Sequence, residues 1–287
     1  MPTYLLRVPD HLGDAVMAMP AVAAIAKLGP ISIQGPAWST RLYGPTDPNP
    51  QDPDIAILFK PSFSAAWNVR GVPRRVGAPG SLRRWLLTDV VCLPKVHRRE
   101  QYAALAAHIG ATATGYPGFS PTLTEQQSAP AVSSSDVLLL PISRSQATVG
   151  WPQFRQLADA LGSRAIFAAG PGECASLAAI AGNHRCIAPT SIGEFSALAQ
   201  RVSAVVATDS GLSHLAAAAR ASADLDPTTV HVIFGSTDPC HTGAAGCTSH
   251  GLEPIPCQPC YRKRCTIKPM APPCLDVDFS TVLGALQ

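Results

Sequence analysis

Charge is scarce in this chain: Asp, Glu, Lys and Arg make up 14% of its 287 residues, against about a quarter in an ordinary soluble domain. The balance left over, +3 at pH 7, is too small to make a nucleic-acid binder on charge alone. Also lacking is any apolar run of the ~18 residues that a transmembrane helix needs. The first residues do not have the charged-then-apolar layout of a signal peptide. The apolar segment over residues 12–25 carries Asp14 and Pro20 and reads as a core helix. Cytoplasmic residence is therefore expected, and in that compartment the nine cysteines do not read as a disulfide framework. What is plentiful is apolar: 46% of the residues, much of it alanine, which suits helices packed closely on sheets. The length is enough for two domains of ordinary size.

Residues 4–8 (YLLRV) form a short apolar run, PDHLGD a turn, and residues 15–27 carry alanine and aliphatic side chains at helical spacing. Strand, loop and helix in that order open a doubly wound α/β domain. Further strands are expected at 31–34 and 55–59, helices near 37–43 and 99–110, and a proline-rich loop over 45–53. Between residues 116 and 135 the composition turns to Pro, Gly, Ser, Thr and Gln without periodicity, which reads as a linker. Domains are accordingly expected over residues 1–130 and 131–275. In the second, strands are expected at 137–140, 165–169, 203–207 and 230–234, with helices at 151–161, 174–181 and 192–199. A final segment, 276–287, holds a short amphipathic helix. The fold class is α/β with two Rossmann-like halves, and the crevice at the carboxyl ends of their strands is the expected site.

The stretch ATDSGLSHL, residues 207–215, puts a small polar turn between a buried strand and an alanine-rich helix. Such a turn leaves backbone N–H groups unpaired at the positive end of the helix dipole, a place suited to a diphosphate. Asp209 and Ser210 are equally good N-cap residues, so a capped helix is the structural alternative. Arginines cluster within residues 70–84 and at 98–99. They read either as a solvated basic face or as a patch for a phosphorylated acceptor or a membrane surface. Cys257, Cys260, Cys265 and Cys274 give C-x2-C-x4-C-x8-C. Four thiolates so spaced can surround a structural Zn²⁺ or iron ion, or remain reduced thiols in a loop.

Several strings occur in order along the chain: LLRVPDHLGDAVMAMPAVAAI (5–25), FKPSFSAAW (59–67), VPRRVG (72–77), ATDSGLSHLAAA (207–218), VIFGSTDPCHTG (232–243) and CQPCYRKRC (257–265). Together they resemble the ADP-heptose:lipopolysaccharide heptosyltransferases of glycosyltransferase family 9, the heptosyltransferase II branch above all. The resemblance implies a GT-B fold whose last helix crosses back onto the first domain. It also implies an inverting glycosyltransferase that moves heptose from ADP-heptose to a sugar hydroxyl of a lipopolysaccharide inner-core precursor. No cofactor is implied for the chemistry, no nucleic acid is a partner, and peripheral contact with the inner membrane is expected. Iron or zinc at the four cysteines would be structural.

By the same resemblance Asp14, in the LGD string, is the general base, with helix capping as its alternative role. Asp10 and His11 are weaker competitors, and Arg7 is a strand-end charge or a second-tier ligand. On the donor side the N–H groups of Ser210, Gly211 and Leu212 would meet phosphate oxygens and Asp209 the sugar hydroxyls. His214 is either a phosphate donor or a helix residue satisfied within the fold. Ser236 and Thr237 would turn hydroxyls to the phosphates, and Glu173 would accept from the ribose. The chain departs from the family where a lysine usually precedes Trp-Pro: Val149 stands there before Trp151 and Pro152. Arg144 is the candidate replacement. Without one, the alternative is a degenerate GT-B shell that binds a nucleotide sugar or serves as a scaffold without turnover.

Overall fold

A computed structural model of the chain describes residues 1–44, 52–142, 150–170, 173–251, 255–262, 264–268 and 272–287. They divide into two units, Met1–Pro117 and Gly118–Gln287. The first holds β1 (Tyr4–Arg7), α1 (Leu12–Ala26), β2 (Ile31–Gln34), α2 (Ser39–Tyr43), β3 (Ile55–Leu58), α3 (Phe63–Asn68), β4 (Arg74–Gly77), β5 (Asp89–Val90) and α4 (Arg98–Ala107), with a 3-10 turn at Ser81–Leu86. The strands lie in the order β2-β1-β3-β4-β5, each neighbouring pair parallel. A parallel sheet is covered on both faces, and the central strand β3 is buried along its whole length. Leu6, Ile57 and Val76 pack on one face with Val22 and Ile25 of α1 and Leu105 of α4. Ala56 and Leu58 meet Ala65, Ala66 and Val69 on the other.

The second unit holds α5 (Leu123–Ser128), β6 (Val137–Leu140), α6 (Phe154–Leu161), β7 (Ala165–Ala168), α7 (Cys174–Ala181), β8 (Arg185–Ile187), α8 (Ile192–Arg201), β9 (Ala204–Thr208), α9 (Gly211–Ala221), β10 (Val230–Ile233), α10 (Pro239–Thr242), β11 (Thr248–His250) and α11 (Phe279–Gly284). Its strand order is β11-β10-β9-β6-β7-β8, again all parallel. Val137, Leu139, Phe167 and Val206 form the core with Trp151, Phe154 and Leu157. α11 belongs to this same core, where Val282 is fully buried. The Trp151 indole Nε1 donates to Val277 O at 2.8 Å and the Phe279 N–H donates to Gln153 Oε1 at 2.9 Å, which ties the last segment to the start of α6.

The division falls earlier than composition alone suggests. Residues 116–135 carry few apolar side chains, but Phe119 is buried, its N–H donates to Ala218 O at 3.2 Å and its carbonyl accepts from Ser222 Oγ at 2.8 Å. α5, closed by a capping box between Thr122 and Glu125, packs on α8. One aromatic anchor and a capped helix thus place this stretch within the second unit.

Arg220 is a buried cation that holds the α8–β9 corner together. It donates to Ala199 O at 2.8 Å, Val202 O at 3.0 Å, Ser203 O at 3.4 Å and Asp226 O at 3.4 Å. Burial lowers its pKa, yet the carbonyls satisfy the guanidinium. Arg220→Met keeps the volume and strips these donors from buried carbonyls. A loss of about 3 kcal/mol in urea unfolding is expected, the sum of several unpaired acceptors; a midpoint equal to the parent's would contradict it.

Candidate active site

At the carboxyl end of β1 the loop through Val8 and Asp10 leads into α1. The helix begins at Leu12 with His11 as a cap that makes no side-chain bond, and Asp14 sits inside the first turn. Asp14 therefore does not serve as the N-cap. It is half-buried and its Oδ1 accepts from Tyr102 Oη of α4 at 3.3 Å. Tyr43 Oη donates to Ala15 O at 2.9 Å beside it. Burial, followed by the Asp14 charge, pushes both phenols well above their ordinary value, so each stays a donor at any working pH.

Asp10, the competing carboxylate, is committed elsewhere. Arg7 Nη2 donates to its Oδ1 at 2.9 Å and Lys60 Nζ reaches its Oδ2. Desolvation alone would raise its pKa, but the bonds from Lys60 and Arg7 outweigh that and lower it. Arg7 is further held by Val8 O and Gln34 O, so it braces the loop. Lys60 escaped the sequence reading, although a lone charge directly after the apolar run IAILF marks the carboxyl end of β3.

Arg83 and Arg84 are a pair within the arginine cluster of residues 70–84, which reads either as a solvated face or as a patch for a phosphorylated acceptor or a membrane surface. Here the pair splits: Arg84 is exposed, while Arg83 is 3% exposed with Nε and Nη2 unpartnered. Its contact with Lys60 O is long, at 3.4 Å. A Cβ on Gly77, at the carboxyl end of β4, would stand 2.8 Å from Arg83 Nη2. Glycine at 77 leaves the room that this guanidinium occupies.

In the second unit β9 delivers Thr208, Asp209 and Ser210 to the N-terminus of α9. Ser210 is the N-cap residue and stands in a capping-box arrangement with Ser213, while its Oγ and Thr208 Oγ1 are buried without a hydrogen-bond partner of ordinary geometry. Ser213 takes up the local bonds instead, accepting from Ser210 N at 3.4 Å and donating to Ser210 O at 2.7 Å. Gly211 and Leu212 form the first turn of α9, half-buried, with His214 buried next to them. Thr237 Oγ1 donates to Asp209 Oδ2 at 2.6 Å, which joins the β9–α9 and β10–α10 turns; Ser236 precedes it, half-buried. Glu173 folds back at the start of α7, its Oε2 accepting from Gly170 N at 3.0 Å. Gly150 lies against Pro141 O and the Thr208 methyl. Arg144 and Val149 lie outside the described residues.

The cysteine-bearing segment buttresses this cradle. Gln258 Nε2 donates to Gly235 O at 2.6 Å and Tyr261 N to Ser236 O at 2.8 Å, so the GSTDP turn rests on it. Cys274 has its thiol pushed up by burial and by the nearness of Cys260, Cys265 and Cys257. Even so, among the described residues no three His, Cys, Asp or Glu side chains converge closely enough to hold a metal ion.

Beside that segment His231 and His250 stack at the sheet edge, 5.3 Å between ring centroids, with Nδ1 of the first 3.1 Å from Nε2 of the second. One ring donates and the other accepts, which two imidazoliums cannot do. Burial and then the neighbouring ring pull His231 from 6.5 to about 4, and burial lowers His250. With the folded pKa below the unfolded one, the unfolded chain binds more protons between the two values. Stability is therefore lost as pH falls from about 6.5 towards 4. From pH 7 to 5 the loss through His231 is expected to be about 2 kcal/mol, read as a fall in the urea midpoint; His231→Leu should flatten that dependence.

Two parallel doubly wound sheets, each with polar side chains gathered at carboxyl ends of strands, are the fold of the GT-B transferases. The Glycosyltransferase family 9 (heptosyltransferase) model matches residues 42–271, and the chain belongs to that family. A curated relative, lipopolysaccharide heptosyltransferase 1 of Pseudomonas aeruginosa, is 32% identical over 249 residues, covering 81% of this chain and 61% of the relative. The chain thus spans about three fifths of that relative's length. The structure of E. coli ADP-heptose lps heptosyltransferase II superimposes with a TM-score of 0.76 at 21% identity, covering 100% of this chain and 97% of that one. The dodecameric iron-containing heptosyltransferase TibC, from enterotoxigenic E. coli, in complex with ADP-D-beta-D-heptose, gives 0.62 at 14% identity over 99% of this chain and 75% of its own.

Proposed function

We propose that this chain transfers heptose, with inversion, from ADP-heptose to a sugar hydroxyl of a lipopolysaccharide inner-core precursor. The observation that carries the reading is the α9 N-terminus: the first turn of the helix with the Thr208 and Ser210 hydroxyls buried beside it and without hydrogen-bond partners. Buried hydroxyls without partners at the positive end of a helix are donors held ready for an anion, and the diphosphate of the donor supplies one. The N–H groups of Ser210, Gly211 and Leu212 take phosphate oxygens, with His214 and Ser236 alongside. Asp209, whose second oxygen holds Thr237, accepts from the sugar, and Glu173 from the ribose; Arg144 supplies the charge that Val149 lacks. Asp14 takes the proton of the attacking hydroxyl. That oxygen forms its bond to the anomeric carbon as the carbon–oxygen bond to the diphosphate breaks, and the electron pair leaves with ADP. Arg83, a guanidinium with free donors at the same edge as Lys60, suits an anionic substituent of the acceptor. Peripheral contact with the inner membrane fits an acceptor anchored in lipid.

The four thiols suit a soft, tetrahedral metal, and the Lys268 N–H donating to Cys265 Sγ at 3.4 Å is the kind of bond that steadies a thiolate. Drawn together from the separate positions they hold here, Cys257, Cys260, Cys265 and Cys274 would hold zinc or iron, which would brace the loop under the GSTDP turn and take no part in the transfer. Elemental analysis of protein prepared anaerobically under reducing conditions tests this, and a metal-free sample refutes it. The transfer is tested by presenting a panel of nucleotide sugars with the core precursor. ADP release and an inverted linkage with ADP-heptose are expected, whereas tight ADP binding with no turnover on any donor would return the protein to the scaffold reading.

A further inference from the structure

The outer face of α3 and the neighbouring 3-10 turn Ser81–Leu86 carry side chains that a soluble surface rarely shows together. Trp85 is 84% exposed, Leu82 69%, Phe63 49% and Trp67 47%, and the turn packs against α3. On α3 the exposed side chains form a ladder. Phe63 stacks on Trp67 at 6.0 Å and 22°, and Arg70 lies over the Trp67 ring at 4.6 Å while donating to Trp67 O at 3.0 Å. Phe63, Ser64, Trp67 and Asn68 line a shallow apolar groove along it. The inner face is already spent on the core through Ala65, Ala66 and Val69, so the outer aromatics do not serve folding. Between residues 60 and 87 stand Lys60, Arg70, Arg74, Arg75, Arg83 and Arg84, with no Asp or Glu among them. Arg70 and Arg84 are exposed beside the aromatics.

Resting on the peripheral membrane contact of the proposed function, we propose that this face is the one that docks on an anionic phospholipid bilayer, with Trp67, Trp85 and Leu82 entering the headgroup boundary and Arg70 and Arg84 meeting lipid phosphates. Tryptophan is the side chain most at home at that depth, because its ring is apolar and its N–H is polar. Arginines without neighbouring carboxylates feel the full negative surface potential. A protein partner would need a shaped, apolar counterpart, whereas a bilayer accepts scattered wedges of differing height. Aromatic depth and one sign of charge are what a fluid anionic surface selects.

The test is co-sedimentation of the full chain with phosphatidylethanolamine–phosphatidylglycerol vesicles and with neutral phosphatidylcholine vesicles, each at low and high salt. The parent is expected on the anionic vesicles, weakly on the neutral ones, and less at high salt. Trp67→Ser with Trp85→Ser should weaken anionic-vesicle binding by about tenfold or more, and Arg84→Glu alone by about fivefold or more. These side chains are exposed, so ADP affinity and thermal midpoint should stay at parental values and certify the fold. Three results overturn the proposal: a parent that ignores anionic vesicles, a double-serine variant that binds them equally, or a concentration-dependent parental dimer that the variant lacks. The last would give the face to a second copy of the chain.

Discussion

Asp14→Asn is expected to lower kcat by about 10²–10⁴-fold, the usual worth of a positioned base, while leaving ADP affinity unchanged. Asparagine keeps an oxygen for the bond from Tyr102 Oη and preserves the first turn of α1, so the helix should not notice the change. What it loses is the ability to accept a proton as the acceptor hydroxyl attacks. Asp10 cannot substitute, because Arg7 and Lys60 hold its carboxylate and keep its pKa low. A single-turnover assay at saturating donor separates the outcomes. A rate within a factor of two of the parent's removes Asp14 from the chemistry, and a fall in thermal midpoint with unchanged rate makes it a structural residue.

Leu212→Glu is expected to weaken ADP binding by about a hundredfold or more without loss of stability. Leu212 lies in the first turn of α9, half-buried. A carboxylate there is favourable to the helix itself, since it complements the positive end of the dipole. The same charge repels a diphosphate. Like charges about 4 Å apart at an effective dielectric of ~20 interact by about 4 kcal/mol, more than enough for the stated loss after solvent screening. Calorimetric titration with ADP beside a thermal melt reads both halves of the expectation. Unaltered ADP affinity would place the nucleotide somewhere other than the α9 N-terminus, whatever the melt shows.

The two sheets were legible because parallel strands are buried on both faces and read as bare apolar runs. YLLRV, IAILF and VHVIF therefore announced β1, β3 and β10 within a residue or two. β11 escaped, since Thr248–His250 is short, polar and at the sheet edge, where pairing with β10 rather than side-chain burial sustains it. β5 and β8 escaped for the same reason, and the inner strand β4 escaped because Arg74 and Arg75 interrupt its apolar run. The β9–α9 turn could be found from ATDSGLSHL alone, because a strand, a small polar turn and an alanine-rich helix leave little choice of geometry. Tyr102 carried no signal: it lies far along the chain from Asp14 and meets it only because α4 packs on α1.

By itself the sequence determined the α/β class and the family, and it marked the turns where polar residues leave the strands, since these follow from local periodicity and from strings of adjacent residues. Tertiary structure decided how the two carboxylates are partnered, tying up Asp10 with Arg7 and Lys60 while setting Asp14 against a phenol. It also decided that Arg83 is buried and Arg84 exposed, and that Phe119 draws the expected linker into the second unit. The physical reason is common to all three. Burial and ion pairing are set by neighbours distant in the chain, and neither hydrophobic period nor residue type records who those neighbours will be.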